Sequence, residues 1–83
     1  MRAKFELKKV NTFNGYNNHN PNYEELEFLA VITAPFDKDG NSEDNSFTRW
    51  TPDGSLKMSV TNPNLIGKFK EGQKFYLDFI PAE

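Results

Sequence analysis

Short runs of alternating apolar and polar residues constrain the fold of this chain more than any other feature of its sequence. The clearest run is QKFYLDFI, in which apolar residues alternate with Lys74, Tyr76 and Asp78. A period of two residues is that of a β-strand with one buried face. Similar runs elsewhere complete a prediction of five strands, near residues 2–10, 24–34, 46–50, 55–61 and 73–80.

Two local features refine this prediction. In AKFELKKV the alternation fails at Lys9, and Val10 restores the apolar position one residue late. A β-bulge, which inserts one extra residue into a strand, would correct the register there. Asn62 and Pro63 fit the start of a short helix or a single turn near residues 63–69, and Gly67 keeps it short. The fold class is therefore all-β with at most one short helix.

The chain of 83 residues is long enough for a single domain, residues 1–83, with a small core. It has no cysteine, which indicates a reducing compartment and leaves stability to apolar packing. Its eight phenylalanines suit pleated, half-buried surfaces. Five short strands in one open sheet would leave a face uncovered. We therefore predict a small five-stranded barrel. The order of the elements, with a short helical element before the last strand, is that of the OB-fold, so the predicted barrel is OB-like.

The sequence also bears on location and charge. No apolar run approaches the length of about 20 residues that spans a bilayer. The N-terminal MRAKFELKK lacks the apolar core of a secretion signal. We expect a soluble, cytoplasmic protein with no membrane partner. A net charge of −2 gives no overall attraction to nucleic acid, so any basic surface must be local.

The only tryptophan, Trp50, follows Arg49 and precedes a Pro-Asp-Gly turn. With Lys57 across that turn, these residues are candidates for a platform on which a base stacks while the cations contact phosphate. The alternative is that Trp50 closes the barrel as part of the core and Arg49 is solvated.

Further aromatic and basic residues are candidate contacts. Tyr76, beside Lys74 on the polar side of the last strand, is exposed to solvent in this prediction. Tyr16 and Tyr23 border an Asn-rich loop, where they either close over a nucleic-acid strand or hold the loop in place. The basic residues of the first strand either contact phosphates or are simply solvated; they are Arg2, Lys4, Lys8 and Lys9.

The sequence offers no catalytic or metal site. The loop DKDGNSED has oxygen ligands at alternate positions, but Gly40 is fourth where a calcium-binding EF-hand loop needs glycine sixth. His19 is the only histidine, and the chain has no cysteine, so the sequence does not predict a zinc site or a nucleophile-base pair. No phosphate-binding glycine loop or nucleophile motif is present. We predict a non-enzymatic protein without a metal or cofactor.

The sequence has two resemblances to known groups of proteins. The segments FTRWTPDGSLKM, TNPNLIGKFKEG and FYLDFIPAE resemble small uncharacterised proteins of tailed bacteriophages. The segments LEFLAVITAPFDKDGNSEDNSFTRW and NPNLIGKFKEGQKFYLDF are similar to bacterial and phage single-stranded-DNA-binding proteins with the OB-fold. The second resemblance implies single-strand binding. Because the sequence ends at PAE, we do not expect the long tail with an acidic tip that those proteins have, and they have no obvious counterpart of the TPDGSLKMSV hairpin. If the chain is phage-encoded, its location would be the host cytoplasm.

Two functions follow as alternatives. One is a module that binds single-stranded nucleic acid through the aromatic and basic residues named above. The other is a phage protein-protein module that binds a host or phage protein, either as an inhibitor of a host defence or DNA-processing protein or as a small virion component. Its acidic surface would comprise Glu24, Glu25, Glu27, Asp37, Asp39, Glu43 and Asp44. Because a short barrel exposes its edge strands, we also predict a homo-oligomer.

Overall fold

The computed structural model describes residues 1–13, 23–32 and 35–82. Within them the chain forms four β-strands and one short 3₁₀ turn, Glu43–Asn45. The strands are β1 (Arg2–Phe13), β2 (Tyr23–Ala30), β3 (Ser55–Val60) and β4 (Lys74–Asp78). They make one antiparallel sheet in the order β3-β2-β1-β4, so β1 and β2 are central and β3 and β4 are the edges.

The all-β class is confirmed for the described residues, and four of the five predicted strands form. The predicted strand at residues 46–50 is wrong, because only Arg49 makes an isolated bridge, to Asn41. The strand predicted at 24–34 ends at Ala30 in the structure, and residues 33–34 lie outside the described residues. The described strands lie in one open sheet, and a five-stranded barrel is not confirmed.

One face of the sheet carries the core. The pairing puts Phe5 opposite both Ala30 and Phe75, and Leu7 opposite Phe28. The rings of Phe28 and Phe75 meet edge to face, with centroids 5.8 Å apart. The buried apolar residues are few, as expected for a chain of this length; they are Ala3, Phe5, Leu7, Leu26, Phe28 and Val60.

A bulge in β1 keeps this face apolar along the whole strand. Leu7 pairs with Phe28 and Lys9 with Glu27, so the register shifts by one residue between Leu7 and Lys9. The extra residue lets Val10 pack against the core beyond the break. The predicted bulge is confirmed.

The connection between β3 and β4 lies over the core face. It begins with a turn in which Asn62 Oδ1 accepts the N–H of Asn64 at 3.0 Å, which confirms the single-turn alternative. Farther along, Ile66 and Phe69 pack against the core. Glu24 of β2 is only 4% exposed and accepts the N–H of Gly67 at 3.2 Å. Glu24 therefore attaches the connection to the sheet.

Asn45 joins the start of β1 to the end of β2. Its Oδ1 accepts the N–H of Lys4 at 2.8 Å, and its Nδ2 donates to the carbonyl of Val31 at 2.8 Å. Ser46 continues the pairing, because its N–H donates to the Arg2 carbonyl at 2.9 Å. Asn45 is 3% exposed. A buried side-chain amide thus satisfies backbone groups that would otherwise lack partners.

No helix in the described part of the chain has the length and apolar character needed to cross a membrane.

We expect Asn45→Ala to lower the free energy of unfolding by about 1–3 kcal/mol, because it leaves the partly buried Lys4 N–H and Val31 carbonyl without the Asn45 side chain as partner. Asn64→Ala is the matched control, since Asn64 is exposed and contributes its backbone N–H to the turn. The control should stay within about 0.5 kcal/mol of the parent chain. Urea unfolding of the three proteins measures this, and equal losses for the two variants would contradict the role of Asn45.

Candidate nucleic-acid interface

The side chains opposite the core form the polar face of the sheet. Directly paired residues of antiparallel strands project to the same side. Between β1 and β4 this places Lys4 opposite Tyr76. On the same side of the sheet, Arg2 lies opposite Asp78 and Glu6 lies opposite Lys74. The polar face therefore brings together the basic residues of β1 and the aromatic candidate of β4.

Tyr76 is an exposed aromatic residue of this face, beside the basic residues of β1. The residue is 50% exposed. Arg2 Cζ lies 4.8 Å from the centre of its ring, and Lys4 Nζ lies 5.4 Å from it. Both distances fall within the range of about 6 Å over which a cation is attracted to a ring face. The structure thus flanks an accessible ring with two positive charges.

Carboxylates hold these cations in place. Arg2 Nε donates to Asp78 Oδ1 at 2.8 Å, and Arg2 Nη2 donates to Asp78 Oδ2 at 3.2 Å. The hydrogen bond and charge of Arg2 hold the pKa of Asp78 below its usual value, and Asp78 in turn raises the pKa of Arg2. Lys4 Nζ lies 3.6 Å from Asp44 Oδ2, which comes from the 3₁₀ turn.

Glu6 lies between two further lysines of the face. Its carboxylate is 3.0 Å from Lys8 Nζ and 3.7 Å from Lys74 Nζ. The hydrogen bond from Lys8 is the main cause that lowers the pKa of Glu6. Such exposed pairs contribute little to stability and are screened by salt. The lysines are therefore free to exchange a carboxylate for another anion at small cost.

Lys57 belongs to the other half of the polar face. Its Nζ is 3.0 Å from Glu25 Oε1, and this hydrogen bond raises the pKa of Lys57. It also pairs across the strands with Glu27, which pairs on its other side with Lys9. Glu25 and Glu27 of β2 are thus partners of lysines on the same sheet.

Trp50 is not part of the core. It is 55% exposed, and its backbone lies in the left-handed region with φ 58. Its N–H donates to the Gly40 carbonyl at 2.8 Å, and the next amide, of Thr51, donates to the Arg49 carbonyl at 2.7 Å. These bonds turn the chain sharply at Trp50. The alternative that Trp50 is part of the core is wrong.

The indole of Trp50 packs flat against the backbone of Gly40. A Cβ built on Gly40 would lie 2.4 Å from two ring carbons, so no side chain fits there. The ring of Phe36 flanks the indole, with centroids 5.9 Å apart. One side of the indole is therefore supported, and the rest faces solvent.

Asp37 organises the acidic loop that carries Gly40. Its carboxylate accepts the N–H groups of Asp39 and Asn41, each at 2.8 Å, and the side-chain amide of Asn41 at 3.2 Å. The hydrogen bond from the Asn41 backbone is the main cause that lowers the pKa of Asp37. The carboxylate is thus occupied by backbone donors. Within the described residues no group of acidic or histidine side chains has the arrangement of a metal site.

The remaining candidates lie elsewhere. Tyr23 stacks on Phe13 at the far end of the sheet, with centroids 5.1 Å apart. Tyr16 and His19 fall outside the described residues. Sequence reasoning did not single out Phe36 or Asn45, and it considered Gly40 only in the comparison with a calcium-binding loop, because their roles depend on contacts between distant segments. Comparison with protein-family models, with curated proteins and with solved structures gives no match to this chain.

We expect Gly40→Ala to displace the indole of Trp50, because the added Cβ overlaps the ring. Gly67→Ala is the matched control, since Gly40 and Gly67 have similar positive φ values of 84 and 80, but nothing lies within 4 Å of a Cβ at Gly67. Both variants should lose roughly 1 kcal/mol to backbone strain. Only Gly40→Ala should shift the tryptophan emission of the folded protein. Identical emission spectra would contradict the packing of Trp50 on Gly40.

We expect acid to loosen the Trp50 loop through Asp37. Because the folded-state pKa of Asp37 is lowered, its contribution to stability is fully present above the unfolded pKa of about 3.9 and is lost as the pH falls through the folded value. Asp37→Asn, which cannot titrate, should weaken the acid-induced change in Trp50 emission. Asp39→Asn is the control, because Asp39 contributes its backbone N–H to this network. An acid response unchanged in Asp37→Asn would refute the assignment.

Proposed function

We propose that this protein binds single-stranded nucleic acid on the polar face of its sheet between β1 and β4. In this proposal the Tyr76 ring stacks on a base, and the neighbouring cations contact the phosphates. The observation that carries it is the accessible Tyr76 ring with Arg2 and Lys4 within 6 Å of its centre.

The chemistry of the face supports this binding mode. Bases stack on exposed aromatic residues of an open sheet, and each stacked base contributes roughly 1–3 kcal/mol. Stacking does not depend on base identity, since every base has a π-face. The proposal therefore expects binding with little sequence preference.

The charges around Tyr76 favour an anionic ligand locally, although the whole chain is acidic. The cations outnumber the carboxylates that contact or face them at this end of the sheet. Phosphates would replace those carboxylates as partners of the side chains. Binding should weaken as salt rises, because the phosphate contacts release counterions. The cations concerned are Arg2, Lys4, Lys8, Lys9 and Lys74.

Trp50 and Arg49 form a second stacking surface in this proposal. Both residues are exposed, and the indole is supported from behind by Gly40. Lys57, also predicted as a contact, lies on the β2–β3 half of the polar face. A phosphate there would compete with the Glu25 carboxylate for the Lys57 ammonium group. The five-stranded OB-like barrel stays a prediction, and binding on an open sheet face does not depend on it.

The test is a titration of a dye-labelled single-stranded oligonucleotide, followed by fluorescence anisotropy at low and high salt. Tyr76→Ala should weaken binding by roughly 1–3 kcal/mol, because it removes the stacking ring. Tyr76→Phe should retain most of the affinity, since it keeps the ring. Met58→Ala is the control, because Met58 is exposed and pairs with the buried Leu26 on the opposite face, and it should leave the affinity unchanged.

Two outcomes would decide against this assignment. Failure of the unmutated chain to bind even at low salt would remove the nucleic-acid proposal. Loss of binding in Trp50→Ala but not in Tyr76→Ala would move the site to the acidic loop. Melting temperatures of all variants show whether a loss reflects binding or unfolding.

A second candidate is the protein-binding module, for which the acidic loop provides a specific observation. The loop presents exposed Asp39 and Glu43 close in sequence to the half-exposed indole of Trp50. Tryptophan is enriched among residues that dominate protein interfaces. The proposed surface is narrower than the full acidic set, because Glu24 is buried and Glu25 pairs with Lys57. The resemblance to tailed-phage proteins makes a host or phage protein the partner in this case.

A further inference from the structure

The edge strand β4 has a sequence that is complementary to itself. Within the described residues its outer edge is unpaired, because β4 is the last strand of the sheet. Its sequence, KFYLD, carries Lys74 and Asp78 at equal distances from Tyr76. Exposed edges of this kind pair readily with a strand of another chain.

The hydrogen bonds to β1 show which backbone groups of β4 point outward. The Phe79 N–H donates to the Met1 carbonyl at 2.9 Å, and the Leu7 N–H donates to the Gln73 carbonyl at 2.8 Å. Hydrogen-bonded pairs alternate with other pairs along an antiparallel ladder. The odd-numbered residues of β4 therefore bond to β1. The N–H and carbonyl groups of Lys74, Tyr76 and Asp78 face away from it.

We propose that two copies of this chain pair antiparallel through β4, with Tyr76 on the two-fold axis. This register places Lys74 opposite the partner's Asp78 and Tyr76 opposite the partner's Tyr76. All of these residues have their backbone groups directed toward the partner strand, so each pair exchanges both backbone hydrogen bonds. The interface is isologous, as in most dimers.

The side chains fit this register on both faces. On the polar face the side chains of Lys74 and Asp78 are 53% and 48% exposed, so they can reach across the axis. The partner's Lys74 joins Arg2 on the Asp78 carboxylate and extends that ion pair into a network. On the core face the partly buried Phe75 meets the partner's Leu77, which continues the apolar layer from one sheet to the next.

The other edge strand fits a second copy less well. On β3 the Gly54 carbonyl accepts the Ala30 N–H at 2.9 Å, so the outward groups belong to Ser55, Lys57 and Ser59. A two-fold axis at the middle residue of this set would place Lys57 opposite itself. Like charges opposite each other are destabilising, and an edge lysine opposes pairing. The edge that accepts a second copy is therefore β4.

Charge exchange tests the register. Lys74→Asp places a carboxylate opposite the partner's Asp78, and Asp78→Lys places an ammonium group opposite the partner's Lys74, so each variant alone should sediment as a monomer. In an equimolar mixture of the two variants, a heterodimer pairs one strand that carries two carboxylates with one strand that carries two ammonium groups. Residues 74 and 78 of each chain then face an opposite charge on the partner. The mixture should recover the dimer that the unmutated chain forms as its concentration rises. Sedimentation velocity measures all four samples, and melting temperatures exclude unfolding.

A backbone variant provides an independent test. Tyr76→Pro removes an outward N–H and spares the ladder to β1, so it should abolish the dimer without unfolding the chain. Ser59→Pro makes the same change on β3 and should leave the dimer intact.

Several results would overturn the proposal. They are an unmutated chain that stays monomeric at high concentration, a mixture that fails to dimerise, and a dimer lost in Ser59→Pro rather than Tyr76→Pro. Oligonucleotide binding by a monomer would leave the proposed function intact and remove only the dimer.

Discussion

The backbone hydrogen bonds along both edges of β1 are the interaction on which the rest of the structure depends. β1 pairs with β2 on one side and with β4 on the other, whereas β3 contacts the sheet through β2. Alternate residues of this one strand supply half of the buried apolar residues and several charges of the polar face. Because these apolar residues and these charged residues lie on one strand, any change that alters the register of β1 alters the core and the candidate interface together.

The alternation of apolar and polar residues was sufficient to predict the four strands of the sheet and the bulge in β1. The mismatch at Lys9 and the recovery at Val10 are visible within one segment, so the bulge follows from the sequence alone. The failed strand at residues 46–50 has a different cause. Ser46 and the preceding Asn45 form hydrogen bonds with Arg2 and Lys4 of β1, which are more than forty positions away in the sequence. Alternation within FTRW cannot reveal such a distant partner.

The sequence predicted which residues belong to the candidate site better than it predicted which of them lie together in the structure. Tyr76 and the basic residues of β1 were identified from the polar positions of two alternating strands. Their contact depends on the pairing of those strands, which places Lys4 opposite Tyr76. Lys57 illustrates the limit, because its partner Glu25 lies on a strand whose register the sequence did not specify. The exposure of Trp50 likewise follows from its packing on Gly40, a contact across a loop.

The bulge in β1 determines where this strand can lose a residue. A deletion at the bulge keeps the core residues on their face, whereas a deletion before the bulge does not. Lys8, the residue without a partner on β2, is exposed and forms a surface ion pair, so its side chain contributes little to the sheet. Loss of this residue would leave Leu7, Lys9 and Val10 in plain alternation, with the same faces and a straighter strand. Loss of Glu6 instead would make Phe5 and Leu7 neighbours and turn one of them out of the core. Related sequences that gain or lose a residue in β1 are therefore expected to do so at the bulge.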